Sequence, residues 1–431
     1  MRDLFLVLLT MGALCASFAY PFAGILLWTW YSLMTPQAEA FGFAKTLPLN
    51  MLIAAVTLLG LCFSRERKLP TSDPLIWLCG LFLFWCTLNG FAAFNPDWSW
   101  PYWDRTWKVF ALGLFATAMA RNKVRLHALT WMIVISLFYY GVKGGLFTLL
   151  SGGGQRVYGP EGTIIGDNNQ LALALLMTLP LANYLRSQSE KRWVSLTMLA
   201  CMGLTVVAIL GTYSRGGFIG LAVLSVAAWL KFRKKLLYPI AAAMVLLPSL
   251  YFMPARFFDR LHSIDSYGTD SSFQGRVVAW HVAYDYARDH FPFGAGFYGP
   301  QLSQVFNSYY PQVGPRAAHS IYFQVLGEQG FIGLFIYIGI LIFAFLKAAK
   351  VAKACAGKPD LAWAGELTAM IQLGLLVFCL SGAALSMAYY DIFVLYLAML
   401  LSLQAEACPA RRPARLAAAV SRDPLLESGT A

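Results

Sequence analysis

Few residues of this 431-residue chain could do chemistry, and the most suggestive is a histidine at the mouth of an apolar run. In RAAHSIYFQVLGEQG (316–330), His319 stands just before a stretch that could cross a membrane. An imidazole with a pKa near ~6.5 can accept a proton at neutral pH; a histidine at that level can equally well just meet lipid headgroups. Arg215, in GTYSRGGFIG (211–220), lies between two apolar runs with almost no loop. A guanidinium there is costly unless it reaches an anion or the interface. Its planar fork of permanently charged donors suits a phosphate, and Gly216 and Gly217 leave backbone amides accessible to an anion. Snorkelling to headgroups is the bland alternative. Arg156, in GGGQRVYGPEGTIIGDNNQ (152–170), is a second lone cation beside glycines. Arg276 opens FQGRVVAWHVAYDYARDHF (273–291) and is a third, although a solvated loop arginine would look the same.

Around these stand residues that could orient a substrate. Asp167 and Asn168 precede an apolar run, where Asp or Asn is ordinarily a helix cap. Asp391, in AYYDIF (388–393), could orient a base or an acceptor and is equally well explained as a cap. Tyr213, Trp280 and Tyr322 could stack on sugars, but interfacial aromatics are common in any membrane protein. At 100° per residue, Leu326, Gly330 and Gly333 fall within about 40° of His319 around a helix, and Glu328 falls on the opposite side. Several signatures are missing: an external DxD pair, a GxxxxGK[ST] phosphate loop, a GxSxG elbow and HExxH. The eight cysteines form no CxxC pair, which argues against a zinc site or a disulfide framework. An enzyme built from these residues is expected to use no metal, no ATP and no cofactor, its donor supplying the driving force.

The elements that must position them are membrane helices. Apolar residues make up 58% of the chain and charged residues 13%, with a mean hydropathy of +0.59; soluble domains carry roughly 25% charged residues. Apolar runs are read at 47–63, 74–94, 103–120, 127–150, 168–185, 194–212, 214–230, 236–252, 321–346, 362–384 and 390–404, with a further block at 4–34 broken at Pro21. The expectation is an all-α polytopic membrane protein of about 12 spans. The first twenty residues resemble a signal peptide, but Asp3 neutralises Arg2 and a second apolar run follows at once, so a retained segment is expected. Basic clusters fall in alternate gaps, at SRERK (64–68), RNKVR (121–125), RSQSEKR (186–192), KFRKK (231–235) and KAAKVAKACAGK (347–358). They hold 17 of the 33 Lys and Arg, which makes the formal charge of +12 a topology signal and excludes a nucleic-acid footprint. These gaps are then cytoplasmic, and His319 and the three arginines face outward. Block 4–34 crosses once if the N-terminus is cytoplasmic; a short hairpin with the N-terminus outside gives thirteen spans. The one long outer loop, 253–320, contains an amphipathic helix with Val277, Trp280, Tyr284 and Ala287 on one face, ending before Pro292, then the glycine-rich turn FGAGFYG (293–299). It could lie on the bilayer or cap the spans. Residues 1–407 read as one transmembrane domain, and 408–431 as a disordered cytoplasmic tail.

His319-Ser320, nine residues, Gly330, two residues and Gly333 match the H-[NSQ]-x9-G-x-x-[GTY] pattern of bacterial O-antigen ligases, which the chain resembles over roughly 45–405. The YSRGG joint, the GR…W start of the loop helix and the PFGAG turn look like the wider ligase and polymerase superfamily. Arg215 is followed by Ile219 where the family's pattern is usually R-x3-L. MRDLFLVLLTMGALCASFAYPFAGILLWTWYSLMTP and GDNNQLALALLMTLPL are similar to the branch of O-glycosylation ligases associated with exosortase A. The resemblance implies an inner-membrane enzyme that transfers a glycan from undecaprenyl diphosphate to an acceptor hydroxyl at the periplasmic face, in the ligases a sugar of lipid A–core. It implies His319 as general base, with Arg215, Arg156 and Arg276 holding the diphosphate. Polymerisation of the glycan and protein O-glycosylation use the same donor and stay open. Transport of a lipid-linked glycan or a small molecule is the reading from another class, although outer-mouth charges and a single asymmetric loop fit it poorly.

Overall fold

A computed structural model describes residues 2–64, 73–231 and 271–408. The span expected at 236–252, residues 253–270 of the outer loop and the tail beyond 408 lie outside the described residues. Within them the chain is helical throughout and has no strand. The helices are α1 (Arg2–Ala19), α2 (Pro21–Met34), α3 (Leu49–Phe63), α4 (Pro74–Phe91), α5 (Pro96–Met119), α6 (Lys123–Leu150), α7 (Asn168–Ser187), α8 (Arg192–Gly211), α9 (Arg215–Lys231), α10 (Ser271–Asp289), α11 (Ser303–Tyr309), α12 (Ile321–Cys355), α13 (Ala362–Gly382) and α14 (Asp391–Ala407). Six segments among the described residues are long and apolar enough to cross a membrane: α1, α4, α6, α8, α12, and α13 with the turn before it. That is fewer than the dozen expected, for reasons visible in the others. Helices α2, α3 and α9 have only 14, 15 and 17 residues, and α5 carries Asp97, Asp104, Arg105 and Lys108. Helices α7 and α14 are buried on nearly every side, as a helix apolar all round must be, and form the centre of the bundle.

Polar chemistry collects at the two ends. At one end lie the basic turns that the described residues include, at 121–125, 186–192 and 347–358. Lys123 sits 5.8 Å from the Trp363 ring, Gln188 donates to Glu366 at 2.8 Å, and Lys347 reaches both Asp73 and Gln404 at 2.5 Å. Asp73 also caps α4, accepting from the N–H of Leu75, ahead of a proline whose missing N–H costs nothing at that position. Between the ends, the hydroxyls of Thr29, Thr57, Thr130, Thr178 and Thr368 donate to the carbonyl four residues earlier, so the apolar interior holds them without a loose donor.

Within block 4–34, α1 and α2 form a helical hairpin. Helix α2 turns back on α1 at Pro21, and Phe18 meets Phe63 at one end, with ring centroids 6.2 Å apart. At the other end the Asp3 carboxylate accepts from the N–H groups of Gly42 and Ala44, at 2.9 and 3.1 Å, and so belongs to the connection between α2 and α3 rather than to Arg2.

Helix α12 is not continuous. Gly330 has φ 71° and ψ −176°, which breaks it into 321–329 and 331–355. A break frees the carbonyls before it, and buried carbonyls need partners. The turn 292–296 supplies them. Ala295 donates to the Gly327 carbonyl at 2.8 Å and Gly296 to that of Glu328 at 3.0 Å. Asn89 Nδ2 also donates to the Glu328 carbonyl, at 2.6 Å, and Trp85 Nε1 to that of Gln329, at 2.7 Å. The fit is tight both ways: a Cβ on Gly330 would stand 2.5 Å from the Pro292 carbonyl oxygen, and one on Gly294 2.5 Å from the Glu328 carbonyl carbon.

Helix α10 ends before Pro292, as the sequence indicates, and caps the bundle, packing Ala283 on Gly327 of α12. Its buried face is Ala279, Val282, Ala283, Tyr286 and Ala287; of the expected stripe Ala287 is buried, whereas Tyr284 is 45% exposed. The stripe expected from the sequence is therefore rotated in part, with Val277 and Trp280 only partly buried. The helix has two partners, α12 on one side and Val305 and Phe306 of α11 on the other, and their combined footprint sets its orientation.

Candidate functional site

His319 lies at the end of the bundle opposite the basic turns, immediately before the N-cap Ser320 of α12. Its φ is 44°, a left-handed backbone that a residue with a Cβ adopts only under constraint. Such strain costs on the order of 1–3 kcal/mol and gathers at functional sites. The constraint here is visible: Trp280 Nε1 donates to the Ala318 carbonyl at 2.6 Å, and the Trp280 ring stacks on Phe323 with centroids 5.0 Å apart. Trp280 thus holds the histidine's backbone, with one ring face taken. The helical-wheel relation of His319 to Gly330 and Gly333 does not survive, because His319 precedes the helix and Gly330 interrupts it.

The imidazole is half-buried, and burial is the main force pushing its pKa below the usual value, with the Arg276 charge adding to this and the Asp167 carboxylate opposing it. A neutral imidazole flanked by a cation and a carboxylate is available as a proton acceptor at neutral pH. Arg276 has a companion that its sequence context does not single out: the Arg316 guanidinium lies against the backbone of Gly275.

Asp167 links the histidine to the arginine joint. Its side chain accepts from the N–H of Asn169 at 2.9 Å, capping α7. The next residue, Asn168, is buried and donates to the Thr212 carbonyl at 2.8 Å. Ser214 donates to Asn169 Oδ1 at 2.8 Å and accepts from the N–H of Gly217 at 3.0 Å, so it caps the helix that Arg215 begins. The joint is closed enough to hold Tyr213 at φ 52°. Asp167 is therefore a cap, as its type alone suggests, whereas Asn168 is the first residue of α7 and its side chain reaches across to Thr212; together they fasten the loop of Arg156 to the joint of Arg215. The same loop is stitched again where Val157 donates to the Gly211 carbonyl at 2.9 Å. Arg156 itself turns toward its neighbour Tyr158, its guanidinium 5.9 Å from that ring. Tyr322 donates to the Cys379 carbonyl at 3.1 Å, a contact between α12 and α13.

Asp391 belongs elsewhere at the same end. It is 2% exposed and pairs with Arg105 at 3.0 Å, beside a cavity of about 350 Å³. Nothing in the sequence marks Arg105 as part of a site, because it sits 286 residues away within an apolar run. Glu328 has a larger part than its place on the helical wheel suggests. It is buried, accepts from the Tyr389 hydroxyl at 2.7 Å and the Tyr298 N–H at 3.2 Å, and ties the break in α12 to the connection before α14. Among the described residues, four non-glycine residues have positive φ: Thr35, Tyr213, Tyr298 and His319. All four lie at this end of the bundle.

Residues 198–338 match the O-antigen ligase family, and residues 1–190 match a family of unknown function (DUF5935). The first of these segments holds Arg215, Arg276 and His319, with Tyr213, Trp280 and Tyr322; the second holds Arg156, Asp167 and Asn168; Asp391 falls in neither. No curated protein matches the chain.

Proposed function

On the footing that the chain carries an O-antigen ligase domain and is a multi-pass membrane protein of a glycan-transferring family, we propose that it moves a glycan from undecaprenyl diphosphate to an acceptor hydroxyl, a lipid A–core sugar in the form we favour. The reaction takes place at the periplasmic face of the inner membrane. The acceptor oxygen attacks the anomeric carbon as the bond from that carbon to the diphosphate oxygen breaks, in line and with inversion. The hydroxyl proton passes to His319. The departing lipid diphosphate, with about two negative charges, is held by Arg215 and Arg276, and by Arg156 once it swings from Tyr158. Asp167 steadies the imidazole and the imidazolium it becomes. Breaking the sugar–diphosphate bond drives the reaction.

The observation that carries this reading is the neighbourhood of His319: a half-buried imidazole kept neutral between Arg276 and Asp167, on a strained backbone, at the end of the bundle away from the basic turns. Diphosphate binding would offset the Arg276 charge and so raise the basicity of the imidazole when a base is required. The test is transfer by purified protein from undecaprenyl-diphosphate glycan to lipid A–core, with and without chelator. Wild-type transfer is expected to survive chelation, and His319→Ala to lower it ~10²–10⁴-fold, the range for a general base. Full activity in that variant would remove the assignment.

A further inference from the structure

The cavity beside Asp391 is outside the proposed base and its arginines, and its lining is unlike theirs. It opens between α2, α3, α5 and the start of α14, with residues 162–164 of the Arg156 loop along one edge. We propose that it binds an uncharged sugar residue.

Two observations point to that class of ligand. The charges cancel: Arg105 pairs with Asp391 at 3.0 Å and Lys108 with Asp104 at 2.5 Å, so two cations and two carboxylates leave no surplus to draw a diphosphate. Two half-buried amides, Gln37 and Asn50, line the cavity, and the side-chain oxygen of each has no hydrogen-bond partner. Buried polar atoms in that state call for a partner, and vicinal hydroxyls can serve amides and carboxylates together, as donors and acceptors. At about 350 Å³ the volume lies at the small end of ligand pockets, which run ~300–1,000 Å³, and suits one sugar ring rather than a chain.

The edge formed by residues 162–164 continues directly to Asp167, so a sugar held here would sit across one loop from the imidazole. A part in transfer rests on the proposed reaction; the binding itself does not.

The experiment uses the full-length protein in lipid nanodiscs, without donor lipid. Saturation-transfer NMR would screen methyl glycosides of glucose, galactose, N-acetylglucosamine and rhamnose, with inorganic pyrophosphate as competitor. At least one glycoside is expected to bind with a dissociation constant on the order of millimolar, fitting a ligand of about a dozen heavy atoms. Pyrophosphate should leave that signal unchanged. Asn50→Leu, which removes an unmet amide, and Thr163→Trp, which fills the rim from a loop, should each weaken binding at least tenfold. Thr163→Trp leaves the helices alone, so it decides the question even where Asn50→Leu fails to fold. Silence from every glycoside, binding that persists in Thr163→Trp, or displacement by pyrophosphate would each overturn the proposal. Transfer activity plays no part in the measurement, so failure of the transferase reading would leave this result standing.

Discussion

The His319 region and the Asp391 cavity occupy the same end of the bundle, yet they are assembled by different means. Around His319 the structure is held by backbone: carbonyls freed at Gly330, N–H groups of a glycine turn, and an indole that grips the Ala318 carbonyl. Charge reaches the imidazole through space, Arg276 acting against its protonation and Asp167 in favour of it. Around Asp391 the charges are in contact, Arg105 with Asp391 and Lys108 with Asp104. A field acting through space changes when an anion arrives, and so can tune a base. Charges locked together present little more than hydrogen-bonding geometry.

The contrast can be broken at its sharpest point by adding one methyl group. Gly330→Ala combines a positive φ with a Cβ 2.5 Å from the Pro292 carbonyl oxygen, and should destabilise the protein by about 2–4 kcal/mol. Thermal unfolding in detergent would show a lowered midpoint, with transfer lost, and Gly294→Ala should behave alike. Arg276→Ala comes next, with transfer falling ~10²-fold. It also carries a signature that structural damage would not give. The neutral imidazole is the active form, so activity falls as pH drops through its pKa; removing the cation that lowers that pKa moves the acid limb to higher pH. Arg276→Lys should restore the limb without fully restoring the rate, because an ammonium lacks the planar fork. Asp391→Asn tests the cavity side. Its partner Arg105 is 43% exposed, so the stability cost should be only about 1 kcal/mol, but the lining gains a net positive charge and pyrophosphate should begin to bind there. Asp167→Asn is the mildest: it can still cap α7, and it should move the acid limb of the pH–rate profile to lower pH, opposite to Arg276→Ala. Equal profiles for the two variants would show that neither group acts on the base through charge.

Features whose cause is local were legible in the sequence. His319 before its helix, the capping Asp167 and the end of α10 ahead of Pro292 all follow from neighbours within a few residues. Features caused by distant partners were not. A glycine in an apolar run reads as a point of close packing, and nothing near Gly330 announces a break, because what makes the break tolerable is a turn more than thirty residues earlier together with Trp85 and Asn89 on α4. Arg105 reads as a span-end arginine until Asp391 stands beside it. The face that α10 buries depends on two partners, only one of which, the bundle, its periodicity could anticipate.

The fastening at the break in α12 constrains how bulky lipid-linked material gets in. Swinging α10 and its turn away would strip the interior Gly327 carbonyl of its donor, a penalty of roughly 1–3 kcal/mol, and leave that of Glu328 with Asn89 alone. That flank is therefore a fixed wall, bolted through the peptide chain itself. Traffic to and from the imidazole has to use some other side of the rim, and cross-linking α10 to the first half of α12 should leave turnover intact.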